Sequence, residues 1–464
     1  MRLEAENKED LQELQENKMG VAPINKLLIS MALPMMISML VQALYNIVDS
    51  VFVAKLGQDA FNAVSFAFPI QNVMIAIASG TGVGVNALIA RSLGAKNKER
   101  ADGFAMHGLF LALCSTVLIM IFGVCFSELF FRSQTSNENI IRMGKEYLLV
   151  CCGISFGLMG QIIFERLLQS TGKTGLSMVT QGVGAIINII LDPILIFGWF
   201  GLPALGVTGA ALATVIGQII SFVTGWYLNR KYNVELTLKI KGFKPDKTMI
   251  GEIYKIGFPS ILMMSIGSIM TYMMNRLLID IEKTETAAAV FGAYFKLQSF
   301  VIMPVIGLGN AVTPIVGYNL GAKRKARMKK TYYCAIFYAL CIMLVGTLLM
   351  FFIPRTLLSM FEASEEMLTI GEKALKIISP TFLIAAYGIT TSNFFQACGK
   401  SVYSLLMSLC RQLVVLLPLA YLFGYTIGYE AVWYAIPLAE LGSLAVAFFG
   451  KRALKKNVLS ALPD

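Results

Sequence analysis

The sequence predicts an all-α polytopic membrane protein in which about twelve transmembrane helices form two parallel six-helix lobes related by pseudo-two-fold symmetry. Three observations support this prediction. Hydrophobic residues make up 56% of the 464 residues and charged residues only 14%, a composition typical of membrane proteins. Long apolar stretches separated by short polar breaks run along most of the chain. The two halves also repeat short motifs at a constant separation.

The repeat is visible in two pairs of glycines. Gly94 and Gly321 each stand in a Leu-Gly-Ala-Lys motif, and Gly172 and Gly399 each precede a lysine. Both pairs are 227 residues apart (321 − 94 and 399 − 172). Such a repeat holds about six spans, and an even number of spans returns the chain to the same side of the membrane. The halves are therefore parallel copies, and a seam between two such lobes is where a transporter binds its substrate.

Hydropathy and helix breakers define the individual elements. The spans are predicted near residues 27–56, 61–93, 103–131, 140–171, 176–198 and 205–228, and then near 250–281, 286–320, 331–353, 367–397, 402–423 and 430–450. The predicted organisation is a cytoplasmic N-terminal tail (1–24), a first lobe (25–228), a cytoplasmic linker (229–248), a second lobe (249–452) and a cytoplasmic C-terminal tail (453–464).

Basic residues cluster in the loops after spans 2, 6, 8 and 12, while the alternate loops carry almost none. The positive-inside rule then places both termini in the cytoplasm of a multi-pass plasma-membrane protein. The net charge of +11 is explained by these loops, so the expected partner is the lipid bilayer and not a nucleic acid. The eight cysteines lie in apolar segments without CxxC spacing, so neither a metal site nor a cofactor is expected.

Two aspartates lie inside predicted spans, where an ionised carboxylate costs roughly 2.5–3.5 kcal/mol near the bilayer centre. Asp49 in span 1 and Asp192 in span 5 are each roughly 10 Å below the outer ends of their spans, at ~1.5 Å per residue. Four further polar side chains fall in the same layer: Tyr45, Tyr147, Asn188 and Thr214. Two carboxylates, an amide and hydroxyls at one depth can hold a proton or a small hard cation. The 227-residue offset carries Asp49 onto Arg276, so the second half lacks this acid.

The stretch Val48–Gly57, the paired Leu-Gly-Ala-Lys loops and Asn188–Pro193 resemble the multidrug and toxic compound extrusion (MATE) family over about residues 25–450. The resemblance implies a secondary active exporter, and not an enzyme, that exchanges organic cations and drugs for inward H⁺ or Na⁺ by alternating access. The acids resemble those of the DinF-like branch, which implies a cation-coupling site. Its residues would be Tyr45, Asp49, Tyr147, Asn188, Asp192 and Thr214.

Other polar residues within spans have assignments of their own. Gln42 and Glu165 are predicted to lie at the substrate cavity, with an ion pair to Arg166 as an equal alternative for Glu165. Lys296 and Glu440 are at similar depth in the second lobe and are predicted to form a buried pair.

His107, the only histidine, is predicted to be a packed or interfacial residue, with a proton relay as the alternative.

Two further function classes remain as alternatives. A flippase for a lipid-linked substrate would use a related two-lobe plan with a strongly cationic cavity and often extra spans. An intramembrane aspartyl hydrolase would use Asp49 and Asp192, but its Gly-x-Gly-Asp motif is absent. We expect a monomer, and the sequence leaves the cargo and the choice between H⁺ and Na⁺ open.

Overall fold

A computed structural model describes residues 17–239, 241–282, 286–361 and 364–463. Within these ranges the chain is almost entirely helical and contains no β-strand. Residues 1–16, most of the predicted N-terminal tail, lie outside the described ranges.

The predicted twelve-span, two-lobe fold is confirmed. Ten helices in the described ranges are long and apolar enough to cross a membrane, and two bent helix pairs bring the number to twelve. In the first lobe, span 1 is Ile24–Ala54, span 2 Gln58–Gly94, span 3 Lys98–Gln134, span 4 the pair Glu138–Gly153 and Phe156–Ser170, span 5 Thr174–Phe197 and span 6 Gly206–Tyr232. In the second lobe, span 7 is Lys247–Glu282, span 8 Thr286–Gly321, span 9 Lys325–Phe352, span 10 the pair Glu365–Ile378 and Thr381–Ala397, span 11 Ser401–Thr426 and span 12 Tyr429–Asn457.

The two bent spans occupy equivalent places in the two lobes. Span 4 bends by 45° after Gly153, and span 10 bends by 53° at Pro380. Proline lacks the backbone N–H that would continue the helical ladder, and glycine offers no side chain to hold it straight. Span 11 also departs from regular α-helix, because Cys410–Leu416 forms a π-helical stretch.

Span 1 is shared between the cores of the two lobes. Leu28 and Met31, near its start, are fully buried in the apolar core of the second lobe, whereas Val53, near its end, belongs to the core of the first. Gly307 of span 8 permits the close approach, because a Cβ there would lie 2.7 Å from the backbone of Met36. Packing therefore joins the start of span 1 to the core of the second lobe.

The lobes meet closely on the side that carries the basic loops 95–100, 229–239, 241–247, 323–330 and 451–456, which we call the basic face. Gly80 packs directly on span 7, since a Cβ there would lie 2.9 Å from the carbonyl oxygen of Gly257. Gly94 packs against the backbone carbonyl of Tyr318 in span 8 with no room for a side chain. Small residues let helix backbones approach in membranes, where packing drives helix association. The contact at Gly94 closes the seam at the basic face, and the contact at Gly80 extends the closure along span 2 toward the middle of the membrane.

A short segment before span 1, residues 17–22, also joins the lobes at the basic face. Arg324 and Arg327 of the second lobe donate to its backbone carbonyl groups at 2.7 and 2.8 Å. Asn17 donates to the carbonyl of Thr171 in the first lobe at 3.1 Å. The segment therefore bridges the same two bodies that the glycines bring together.

The linker between the lobes is held against span 3, and His107 is one of its anchors. The backbone N–H of Asp246 donates to Nε2 of His107 at 2.8 Å, and Nδ1 lies 2.7 Å from the carbonyl oxygen of Gly103. An acceptor at Nε2 requires the proton on Nδ1, so both ring nitrogens are occupied. The ring is buried and packs edge-on against Phe243. His107 is thus placed as a packed residue at the linker.

We expect Gly94→Ala to weaken the closure at the basic face. The added methyl group would overlap the Tyr318 carbonyl, and overpacking of this kind costs about 1–3 kcal/mol. Thermal unfolding in detergent should show the loss, and spin-label distances across the basic face should lengthen. Gly175→Ala is the control, because a Cβ at Gly175 has no neighbour within 4 Å. Equal behaviour of the two variants would contradict the assignment.

Candidate functional site

The layer predicted to bind a cation is built on close packing of spans 5 and 6. A Cβ on Gly217 would lie 2.8 Å from the carbonyl oxygen of Gly184 and 3.3 Å from Cβ of Asn188. Without a side chain at Gly217, span 6 approaches span 5 closely enough for Asn188 to reach Thr214. The close packing of the backbones of spans 5 and 6 therefore positions the side-chain amide of Asn188.

Asn188 connects the polar groups of these two spans. Its Nδ2 lies 3.3 Å from Oγ1 of Thr214 and 3.4 Å from Oδ1 of Asp192. Asp192 is fully buried and Asn188 is 2% exposed. Pro193 follows Asp192 within the helix, and its missing N–H leaves a carbonyl oxygen of the preceding turn without its usual donor.

Span 1 and span 4 complete the layer. Asp49 lies within electrostatic range of Asp192, and Tyr45 interacts with both carboxylates. Tyr147 is 2% exposed and lies within range of Asp49 and Tyr45. The structure therefore brings all six predicted residues of the cation-coupling site together.

Three buried oxygens in this layer have no hydrogen-bond partner within the described ranges. They are Oδ1 of Asp49, Oδ2 of Asp192 and Oδ1 of Asn188. Buried polar atoms in folded proteins nearly always have a partner, so three acceptors at one place require an explanation. A carboxylate pair with an amide oxygen offers sites for a proton or for a hard cation.

A cavity of about 600 Å³ lies in the seam beside this layer. Spans 1, 2, 4 and 6 form one wall, and spans 7, 8, 10, 11 and 12 form the other. Tyr45 and Thr214 are on the wall, whereas Asp49, Asp192 and Asn188 are not among its lining residues. The acids therefore lie behind a wall through which a tyrosine and a threonine connect them to the cavity.

The two residues predicted for the substrate cavity have different positions. Gln42 lines the cavity and accepts a hydrogen bond from Nε2 of Gln181 at 3.1 Å. Glu165 is not a lining residue: it is 8% exposed, and its Oε1 accepts from Gln161 at 3.0 Å. Arg166, the next residue, lines the cavity instead. The prediction for Glu165 is corrected, because consecutive helical residues point about 100° apart and only one of them can face the seam.

The predicted pair of Lys296 and Glu440 does not form. Glu440 is buried and accepts from Nη1 of Arg411 at 3.2 Å. Lys296 is exposed, with its Nζ 5.8 Å from the ring centre of Phe361. The prediction matched the depths of two opposite charges, but the π-helical stretch of span 11 carries an arginine closer to the acid.

Several wall residues were not identified from the sequence. Gln71 lines the cavity and donates from Nε2 to the hydroxyl oxygen of Tyr147 at 2.9 Å. A signal for it existed, because Gln298 stands 227 residues later in the second half. Arg166 and Arg411 also line the cavity, and their intramembrane charges were a comparable signal.

Known proteins resemble this chain along most of its length. The MatE family model matches residues 34–194 and 256–422. An FAD transporter of Shewanella oneidensis is 27% identical over 423 residues, covering 90% of this chain and 92% of that protein. The multidrug export protein MepA of Staphylococcus haemolyticus is 27% identical, with 94% and 95% covered.

Solved structures share the fold at similar identity. A multidrug resistance MATE family transporter in an outward-facing conformation superposes with a TM-score of 0.88 at 28% identity, over 96% of this chain and 99% of that one. A MOP superfamily transporter from Pyrococcus furiosus, described as having a binding pocket of reverse polarity, gives a TM-score of 0.89 at 27% identity, with 95% and 98% covered.

We expect Arg411→Met to destabilise the protein, because it leaves Glu440 buried without its cation. The loss should be about 3 kcal/mol, at the low end for a broken buried pair because Arg411 is partly exposed. The double variant Arg411→Met/Glu440→Gln should recover most of it. Lys296→Met is the control and should be close to neutral in thermal unfolding. A large loss in Lys296→Met would instead support the original pairing.

Proposed function

Since the chain belongs to the MatE family of transporters, we propose that it exports drug-like small molecules in exchange for inward-moving H⁺ or Na⁺ by alternating access. The family membership and the two-lobe fold support transport, as does the cavity in the seam. The cation coupling rests on one observation: three buried oxygens, from Asp49, Asp192 and Asn188, have no partner within the described ranges.

We assign the basic face to the cytoplasm of the cell, following the positive-inside rule. Both termini then lie in the cytoplasm of a multi-pass plasma-membrane protein that works as a monomer. The hydrogen bonds between lobes that the described residues make, such as Arg166 to Asn310 at 3.2 Å and Arg100 to Glu252 at 2.7 Å, lie in the half nearest this face. These bonds support a transporter that is closed to the cytoplasm.

The proposed coupling of efflux to cation entry follows from the free-energy cost of keeping two negative carboxylates close together in a layer of low polarisability. Asp49 and Asp192 cannot both stay ionised cheaply at close range, so the pair takes up a proton or binds Na⁺ from outside. Neutralisation removes the cost of burying these groups and lets spans 1, 5 and 6 repack against each other. Pro34 and Pro193 lie inside spans 1 and 5, where a bend breaks no regular hydrogen bond. Repacking would narrow the cavity and release the cargo.

The cavity suits cargo of drug size. Its volume of about 600 Å³ is within the range typical of small-molecule sites. Methionines such as Met39, Met263 and Met407 line it, and their flexible side chains adapt to varied apolar surfaces. The relatives are named for drugs and for FAD. Organic cations as cargo, and placement in the DinF-like branch, are proposals that rest on the sequence resemblance.

The flippase for a lipid-linked substrate remains the second candidate. It would use a strongly cationic cavity and often extra spans. Within the described ranges only two arginines line this wall, and each has a glutamate close behind it, in Glu165 and Glu440, so the cavity is weakly and not strongly cationic. The described ranges contain up to twelve spans, with no extra ones. These features favour the exporter.

We expect Asp49→Asn to abolish gradient-driven efflux while leaving insertion and folding largely intact, because asparagine keeps the shape but cannot titrate. The assay is efflux of ethidium and of fluorescein from proteoliposomes under imposed ΔpH or ΔpNa. Asp280→Asn, an exposed acid at the outer end of span 7, is the matched control and should behave like the parent. Full gradient-driven efflux by a well-folded Asp49→Asn protein would exclude the coupling site.

Thr214→Val distinguishes the two ions: if H⁺ is the coupling ion, we expect the variant to retain ΔpH-driven efflux to within about threefold, because a proton needs only a carboxylate and the variant loses one neutral hydrogen bond. Na⁺ needs several oxygen ligands, so loss of this hydroxyl would be far more damaging to a Na⁺-coupled protein. Thr313→Val is the control, since its hydroxyl bonds only to the Gly309 carbonyl of its own helix. Efflux that is driven by ΔpNa alone and lost in Thr214→Val would contradict H⁺ coupling.

A further inference from the structure

The charged side chains on the cavity wall all have the same sign. Within the described ranges, Arg166 from the first lobe and Arg411 from the second line the cavity, and no aspartate or glutamate does. The carboxylates nearest to them, Glu165 and Glu440, lie behind the wall, 8% exposed each. Cargo touching this wall therefore meets guanidinium N–H groups before it meets any carboxylate oxygen.

Arg166 has spare hydrogen-bonding capacity. A guanidinium group has five N–H donors, and Nη1 makes both of the bonds found here, to Gln169 at 2.8 Å and Asn310 at 3.2 Å. Its Nε and Nη2 have no hydrogen-bond partner within the described ranges. Gly82 makes room for the side chain, because a Cβ there would lie 2.7 Å from Cγ of Arg166.

Arg411 also has N–H donors that make no hydrogen bond within the described ranges. Its one ionic contact is from Nη1 to Glu440, and its side chain is 31% exposed against 10% for the glutamate. The arginine is therefore the exposed member of the pair, with its remaining donors free to bond an acceptor in the cavity. A carboxylate or phosphate matches the planar donor fork of arginine better than any neutral acceptor does.

The hydrogen bond between Arg166 and Asn310 depends on how the lobes are arranged, because Asn310 belongs to the second lobe. The Arg166–Asn310 bond joins spans 4 and 8 in the half of the seam that is closed. When the lobes separate at the basic face, Arg166 loses this partner and its full set of donors becomes available. When they close again, Asn310 competes for the same group.

We propose that the cargo of this cavity carries an anionic group, a carboxylate or a phosphate, that binds Arg166 and is supported by Arg411, and that Asn310 displaces it as the basic face closes. The assignment rests on the proposed exporter function and specifies its substrate class. It differs from the organic cations that the sequence resemblance implies. The coupling acids do not oppose it strongly, because Arg166 is nineteen residues from Tyr147 along span 4, on the order of 20 Å even with the bend.

The test is binding of two fluorescent probes to the purified protein in phosphatidylcholine nanodiscs, followed by anisotropy. Fluorescein is the anion and ethidium the cation. Arg166→Gln should weaken fluorescein binding about tenfold, the effect of one charge-assisted hydrogen bond, and leave ethidium binding unchanged or stronger. Arg166→Lys keeps the charge without the fork and should lie between. Asn310→Ala should strengthen fluorescein binding about threefold, because the competitor is gone.

Controls separate a local effect from general damage. Arg452→Gln removes an exposed arginine that stacks on Phe448 and lies outside the cavity. This variant should bind fluorescein like the parent protein. Arg411→Gln/Glu440→Gln removes the second arginine without leaving a buried charge, and should weaken fluorescein binding with no change in net charge.

Fluorescein that fails to bind, or that binds equally to Arg166→Gln, would overturn the proposal. If ethidium is then driven by ΔpH in an Asp49-dependent manner, the exporter function stands and only the substrate class is wrong. If neither probe is moved by any gradient while fluorescein binding depends on Arg166, the coupling proposal fails and the anion site stands.

Discussion

The contact between the backbones of spans 2, 7 and 8 at the basic face governs the rest of the structure. At Gly80 and Gly94 no side chain separates the two lobes, and one carbon atom more would overlap backbone atoms of the facing helix. Packing at this distance supplies dispersion contacts along both helices, which matters where no hydrophobic effect favours association. Because the lobes touch here, space between them begins only at the depth of Gly80, which itself lines the cavity. The exposed pair of Arg100 and Glu252 crosses the same face but adds little to its stability.

The distribution of charge around the cavity follows from the cost of burying it. The acids Asp49 and Asp192 lie behind the wall, where one oxygen of each has no hydrogen-bond partner within the described ranges. A buried carboxylate without a cation is stable only when neutralised. Arginine cannot lose its proton, so it is retained within the membrane by hydrogen bonds and by a nearby acid, as at Arg411. The carboxylates behind the wall can therefore change charge by taking up a proton, whereas the arginines on the wall cannot.

Duplication explains the shared geometry of the lobes, and divergence explains their different chemistry. The bends of spans 4 and 10 recur at equivalent places, as do the glycines at 94 and 321 that pack on each other's spans. The polar residues do not recur: the offset carries Asp49 onto Arg276 and Asp192 onto Leu419. The second lobe has its own buried acid, Glu440, but this acid already has a cation beside it. In the part of the chain that the structure describes, buried carboxylate oxygens without a hydrogen-bond partner occur in the first lobe alone, at Asp49 and Asp192.

The sequence alone determined the number of spans, the duplication, the basic face and the members of the acid layer. These are properties of position along the helix axis, and depth follows directly from residue number at about 1.5 Å per residue. Tertiary structure decided which side chains meet. Arg411 pairs with Glu440 where depth alone suggested Lys296, and Arg166 lines the cavity where Glu165 was expected. Span 1 begins in the core of the second lobe. Each of these depends on rotation about a helix axis and on the choice of neighbour, and for helices surrounded by lipid and other apolar helices neither is encoded in local hydropathy.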